Sequence, residues 1–123
     1  MKKTLFLALI FGLSATPAQA EHWDVIGAKL KDDCSMAKYM AIVKDFNAWG
    51  KTYGYSATVL TPIQDADQNT IWWIGRSANA AKFGAAWDAW RNAQSDANSS
   101  PAKLQARFAA CSTNTTRSGY DAW

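Results

Sequence analysis

The segment TIWWIGRSANAAKFGAAWDAWRN, residues 70–92, decides the fold because it holds four of the seven tryptophans of this chain in two different patterns. Its first part, up to Arg76, is β-branched and aromatic and predicts a strand. Ser77 or Asn79 can cap a helix. Large apolar residues then recur at helical spacing: Phe83, Trp87 and Trp90. The segment therefore predicts a strand that passes directly into an amphipathic helix ending near Ala93.

The adjacent residues Trp72 and Trp73 must point to opposite faces of this strand, since strand side chains alternate. One face can pack against the helix that carries Trp87 and Trp90. If the helices all lie on one side of the sheet, the other tryptophan meets water in a monomer. Large exposed apolar patches are typical of interfaces, so the sequence predicts a homodimer that forms through the sheet face.

The elements before this segment show the same two patterns, the alternation of a strand and the helical spacing of apolar residues. Residues 21–31, EHWDVIGAKLK, predict a strand in which neither face is plainly polar. Residues 36–49 predict a helix, and its apolar arc comprises Met36, Tyr39, Met40, Val43 and Phe46. Residues 55–63, YSATVLTPI, predict a second strand. Pro62 within it indicates a sheet edge, because proline cannot donate to a ladder of hydrogen bonds.

The elements after the segment complete the pattern. Polar residues interrupt the helical period, and Pro101 then stands where the first turn of a further helix tolerates proline. The polar run STNTT, residues 112–116, predicts a turn, and RSGYDAW, residues 117–123, predicts a last strand. The predicted order is β-α-β-β-α-β, with the second helix broken in two.

This order, with WWIGRSANAAKFGAAWDAW as an aromatic strand leading straight into an amphipathic helix, resembles the dimeric α/β-barrel superfamily that includes antibiotic-biosynthesis-type monooxygenases. The resemblance implies an α+β, ferredoxin-like domain: an antiparallel four-stranded sheet with helices on one face, paired through the sheet into a dimer. It also implies a pocket between sheet and helices that could serve cofactor-independent oxygenation of an aromatic substrate.

The first 20 residues have the features of a secretory signal peptide. Lys2 and Lys3 precede the apolar run TLFLALIFGL, and the segment ends in an A-x-A pattern before Glu21. The apolar run is too short to span a bilayer, which takes about 20 residues. The sequence therefore predicts export to the periplasm or the extracellular space, with residues 21–123 as a single domain.

The composition of residues 21–123 excludes several function classes. Without the two lysines of the signal, 11 basic and 10 acidic residues leave a net charge of +1, which is not that of a nucleic-acid binder. Two cysteines in an exported chain favour a Cys34–Cys111 disulfide, with two free thiols as the alternative. With a single histidine, His22, a Cys/His metal site is not predicted, and no cofactor motif is present.

The candidate ligand-binding residues are Asn47, Trp72, Trp73, Arg76 and Trp87; the sequence singles out no catalytic residue. Asn47 falls within the apolar arc of the first helix, and Arg76 ends the aromatic strand. The main functional hypothesis is an exported protein that binds a small apolar or aromatic molecule between sheet and helices. The alternatives are a cofactor-independent, monooxygenase-like enzyme on the same pocket and a structural or stress-response envelope protein without a ligand.

Overall fold

The computed structural model describes residues 18–123, so residues 1–17 of the predicted signal peptide lie outside the described part. A short 3-10 turn, Lys51–Tyr53, links the first helix to the second strand. The elements, in chain order, are β1 (Glu21–Leu30), α1 (Met36–Gly50), β2 (Tyr55–Leu60), β3 (Ile71–Ser77), α2 (Ala80–Ala93), α3 (Ser100–Cys111) and β4 (Ser112–Ala122). No helix within this described part is long and apolar enough to cross a membrane.

The four strands form one sheet in the order β2-β3-β1-β4, and every neighbouring pair is antiparallel. This order and the intervening helices make the fold α+β and ferredoxin-like, as the element order predicted. Strands β1 and β3 are central, whereas β2 and β4 form the edges. Strand β2 ends at Leu60, two residues before Pro62. The proline, which has no backbone N–H to donate, therefore lies outside the hydrogen-bonded part of the strand.

The side-chain alternation of β3 separates its two tryptophans, as predicted. Trp73 is 7% exposed and belongs to the core on the inner face, which the helices cover. Trp72 lies on the outer face, where it is half-buried and its ring lies against Gly27 of β1. Any internal site therefore lies on the inner face, and no helix within residues 18–123 covers the outer face.

The predicted turn at residues 112–116 is wrong, because β4 begins at Ser112 directly after α3. Three threonines in this run favour an extended backbone. The register of β4 on β1 shifts at a β-bulge in which Thr115 is the extra residue, opposite Gly27 and Ala28, and the Thr115 hydroxyl donates to the Gly27 carbonyl at 3.1 Å. The extension matters because it continues the sheet beside the helices.

The predicted apolar arc of α1 is wrong at one position. Met40 is 41% exposed, whereas Ile42, left out of the arc, is 2% exposed and packs in the core. The buried side of α1 is centred on Tyr39, Val43 and Phe46, so the helix is rotated slightly from the predicted orientation.

The two cysteines form the predicted disulfide between the start of α1 and the end of α3. Cys111 is fully buried and Cys34 is 6% exposed. The backbone amide of Lys31 also donates to the Cys111 carbonyl at 2.9 Å. This corner therefore ties β1, α1 and α3 together at one end of the layer of helices.

Candidate functional site

A cavity of about 130 Å³ lies between the inner face of the sheet and the three helices. A cavity of similar volume, about 150 Å³, can hold a benzene molecule. Its apolar lining is dominated by aromatic rings: Tyr39, Phe46, Trp49, Tyr55, Trp73, Phe83, Trp87, Trp90 and Phe108, with Ile26 and Ala86. The space therefore suits one aromatic ring.

The rings around the cavity hold one another in edge-to-face contacts. The ring centroid of Phe46 lies 4.8 Å from that of Trp73, 5.3 Å from that of Trp90 and 5.5 Å from that of Tyr55, each pair in a T-shaped arrangement. Such pairs contribute about 0.5–1.5 kcal/mol beyond the area that they bury. These contacts stabilise the walls of the cavity. Ala86 is the smallest lining side chain and leaves space that a larger residue would fill.

An ion pair between a buried carboxylate and a partly exposed arginine lies at the β4 side of the cavity. Arg117 binds Asp24 through two parallel hydrogen bonds, Nε to Oδ1 at 2.8 Å and Nη2 to Oδ2 at 2.7 Å. The Asp24 side chain is 5% exposed and that of Arg117 is 38% exposed. The guanidinium also lies over the indole of Trp87, with 4.1 Å between Cζ and the ring centroid. Asp24 thus fixes the plane of the Arg117 guanidinium, and Trp87 covers one face of it.

Tyr55 completes the network around Asp24. Its hydroxyl donates to Asp24 Oδ2 at 3.1 Å and accepts from Trp73 Nε1 at 2.9 Å. The phenol reaches Asp24 across Gly75 of β3, where a Cβ atom would overlap the Tyr55 ring and hydroxyl. Burial, and next the charge of Asp24, raise the pKa of Tyr55 well above its usual value. Asp24 therefore uses both carboxylate oxygens within the protein.

The remaining polar groups at the cavity are neutral. Tyr39 is 3% exposed and lines the cavity, and its hydroxyl makes no hydrogen bond to another residue within 18–123. Burial raises the pKa of Tyr39 to about 12, so the phenol keeps its proton at neutral pH. Three further polar residues lie at the lining, Gln105, Ser112 and Asn114. The cavity thus combines aromatic walls with a fixed cation and a neutral phenol.

The structure places the five candidate residues in different surroundings. Trp73 and Trp87 line the cavity. Asn47 instead binds both backbone groups of Ala57, with Nδ2 donating to the carbonyl at 2.9 Å and Oδ1 accepting from the amide at 2.7 Å. These two bonds tie α1 to the edge strand β2, so the amide of Asn47 serves the fold.

Trp72 and Arg76 lie on the outer face, away from the cavity. Arg76 binds Glu21 through Nε at 3.1 Å and Nη2 at 3.0 Å, and its Cζ lies 5.4 Å from the ring centroid of Trp23. The hydrogen bond from Arg76, then that from Trp23, lowers the pKa of Glu21. Arg76 therefore repeats on the outer face the arrangement that Arg117 has at the cavity.

Sequence reasoning missed Asp24, Tyr55 and Arg117. Asp24 alternates with the apolar Trp23 and Val25, and alternation alone would place those two in the core and the carboxylate on the opposite, solvent-facing side. No local signal identifies its partner, since Arg117 is 93 residues away along the chain. The site is therefore a product of the sheet order that places β4 beside β1.

No metal-ligand cluster accompanies these groups in the described part of the chain. Among residues 18–123, no three His, Cys, Asp or Glu side chains come close enough together to hold a metal ion.

Stability at alkaline pH tests the Tyr55 network. Between pH 10.0 and the raised pKa of Tyr55, this tyrosine loses its proton in the unfolded chain but keeps it in the folded one. The free energy of unfolding should therefore fall as the pH rises, by up to about 1.4 kcal/mol per pH unit for this residue. Urea unfolding at pH 9, 10 and 11 should show a smaller fall in Tyr55→Phe than in the unchanged protein. Equal slopes would contradict the network.

Comparison with solved structures places the fold among known ones. SnoaB, a cofactor-independent oxygenase from Streptomyces nogalater, is 13% identical, with 85% of this chain and 94% of that chain covered and a TM-score of 0.58. The hydroxynitrile lyase from Passiflora edulis is 17% identical, with the same coverages and a TM-score of 0.53. A dimeric protein of unknown function and ferredoxin-like fold from Bacteroides fragilis gives 12% identity, coverages of 84% and 97%, and a TM-score of 0.49.

No protein-family model and no curated protein matches the sequence. At these identities the likeness shows a shared fold, and it agrees with the predicted α+β fold.

Proposed function

We propose that this chain is an exported protein that binds a small aromatic molecule in the cavity between its sheet and its helices. The observation that carries the proposal is the cavity itself. Aromatic rings line it, and Arg117 and Tyr39 contribute polar groups to its lining. Ligand pockets are typically apolar with a few fixed polar groups that orient the ligand. Export rests on the sequence of residues 1–20, and the Cys34–Cys111 disulfide is compatible with an oxidising compartment.

The alternative is an enzyme that uses the same cavity, namely a cofactor-independent oxygenase. SnoaB, which shares the fold, is described as such an oxygenase. The polar groups favour binding over proton abstraction. Asp24 accepts three hydrogen bonds with its two oxygens, and Tyr55 both donates and accepts. A general base needs a free acceptor within reach of the substrate proton. A cavity of this kind also argues against an envelope protein without any ligand.

The binding proposal is tested by filling the cavity. Ala86 lines the cavity and is 3% exposed, whereas its neighbour Ala85 is exposed. Calorimetric titration with benzyl alcohol should show saturable binding to the unchanged protein and to Ala85→Leu. In Ala86→Leu the affinity should drop at least about fivefold, since overpacking of a filled site costs about 1–3 kcal/mol.

The same three proteins separate binding from turnover. If benzyl alcohol binds all three alike, or none, the cavity is not the site. Incubation with a hydroquinone under oxygen, followed by mass spectrometry, addresses the enzyme. Oxygenated product formed faster with the unchanged protein than with Ala86→Leu would favour the oxygenase, and equal background rates would favour binding alone.

The outer face of the sheet supports the second part of the proposal, a homodimer. Four half-buried apolar side chains from the two central strands, with two exposed ones from the edge strands, form this face: Trp23, Val25, Trp72, Ile74, Leu60 and Tyr120. The charges of Glu21 and Arg76 on this face offset each other, because the two side chains form an ion pair within the chain. A second copy of the same face would therefore meet apolar surface and no unpaired charge, as an isologous interface requires.

Native mass spectrometry tests the dimer. Ile74→Lys places a charge in the middle of the outer face and should convert the dimer to a monomer, because burying an unpaired charge is costly. Ala85→Lys, on the exposed side of α2, is the matched control and should remain dimeric. A monomeric spectrum of the unchanged protein would refute the dimer.

A further inference from the structure

The guanidinium of Arg117 has one bonding edge that the protein uses and one that it does not. Nε and Nη2 form the side edge and donate to Asp24. The end edge, formed by Nη1 with the second N–H of Nη2, donates to no other residue within 18–123. An arginine edge of this kind presents two parallel donors whose spacing matches that of a carboxylate.

The unused polar capacity of the cavity comprises the donors of Arg117 and neutral groups that can both donate and accept, Tyr39, Gln105 and Asn114. Asp24 is the one carboxylate among the described lining residues, and both of its oxygens are occupied. Tyr39 adds a neutral phenol without a hydrogen-bond partner in the described chain, which can donate to an oxygen of a ligand. A ligand that presents two acceptors can therefore bond the end edge of Arg117, whereas one that presents only donors makes no bond to this edge.

The guanidinium of Arg117 is also preorganised for such a ligand. Asp24 fixes the plane of the guanidinium and the indole of Trp87 covers one face at 4.1 Å. Little side-chain freedom is left to lose on binding, and preorganisation of this kind favours affinity. The apolar walls beside it accept a ring of about the size of benzene.

From these observations we propose that the ligand is a single-ring aromatic compound with an anionic oxygen group, a carboxylate or a phenolate, which binds the end edge of Arg117 while the ring occupies the cavity. The inference rests on the proposed binding function and names its ligand class. Asp24 offsets much of the charge of Arg117, so the preference for an anion comes from direct hydrogen bonds. A carboxylate brings two ionised acceptors to this edge, whereas a neutral amide brings one uncharged acceptor, and we expect a preference of about tenfold.

Calorimetric titration with benzoate and benzamide tests the ligand class, because the two compounds share a ring and differ in charge. The unchanged protein should bind benzoate about tenfold more tightly than benzamide. Arg117→Lys keeps a cation beside Asp24 but removes the end edge, and should reduce that preference to below about threefold. Arg76→Lys is the matched control, since Arg76 has the same two bonds to a carboxylate and lies over a tryptophan on the opposite face of the sheet.

A second readout needs no variant. In the unchanged protein, benzoate should shift the ¹⁵Nη signals of Arg117 and leave those of Arg76 in place. Equal affinity for benzoate and benzamide, a preference retained in Arg117→Lys, or unshifted Arg117 signals at saturation would overturn the inference while leaving aromatic binding intact. Failure of both compounds and of benzyl alcohol to bind would instead overturn the proposed function itself.

Discussion

Replacing Gly75 with alanine is expected to lower the free energy of unfolding by about 3–4 kcal/mol, because the new Cβ atom occupies the space of the Tyr55 ring and hydroxyl. Tyr55 is 6% exposed and cannot move outward without leaving the core. Its displacement also breaks the hydrogen bonds to Asp24 and from Trp73. Overpacking and two lost buried hydrogen bonds therefore act together.

Two companion variants make the Gly75 prediction specific. At Gly84, on α2, a Cβ atom would meet nothing within 4 Å. Gly84→Ala should therefore stabilise the protein by about 0.5–1 kcal/mol through helix propensity. The smaller side chain of Tyr55→Leu should rescue part of the loss when it is combined with Gly75→Ala. Chemical denaturation of the unchanged protein, the three single variants and the double variant measures these changes. Additive losses in the double variant would show that Tyr55 is not the side chain in conflict.

Removal of the disulfide should produce the largest loss of stability. Cys34 and Cys111 are 77 residues apart, and closing a loop of that length stabilises the folded state by about 4.5 kcal/mol through the entropy of the unfolded chain. The double variant Cys34→Ala, Cys111→Ala should therefore unfold at much lower urea concentration than the oxidised protein.

Reduction provides the control for the disulfide variant. The unchanged protein treated with dithiothreitol should fall to about the stability of the double variant, whereas the double variant should not respond to the reagent. If the oxidised protein and the double variant unfold at the same urea concentration, the bond does not constrain this chain.

The sequence predicted those features that depend on local periodicity. Trp72 and Trp73 could be assigned to opposite faces because alternation is a property of any strand. Asn79 was one of two candidate caps, and its side chain accepts from the Lys82 amide at 2.9 Å. The disulfide followed from the two cysteines of a chain that the sequence predicts to be exported.

The polar network of the site could not be predicted in the same way. The bond between Asp24 and Arg117 joins strands at opposite ends of the chain, and β4 begins five residues before the predicted position. Asn47 shows the opposite difficulty, because its place in the apolar arc was correct but its amide satisfies the backbone of Ala57. Periodicity specifies which side of an element a residue occupies, and only the packed neighbours decide what it binds.

The central claim, that an aromatic molecule occupies the cavity between sheet and helices, is tested most directly by the indole N–H signals of the seven tryptophans. Four of these residues line the cavity, Trp49, Trp73, Trp87 and Trp90, and three do not, Trp23, Trp72 and Trp123. In a ¹H–¹⁵N titration with benzyl alcohol, signals of the first group should shift to a common saturation point while those of the second stay in place. Shifts confined to Trp23 and Trp72 would contradict the account by placing the ligand on the outer face, and the absence of any shift would show that the cavity binds no such ring.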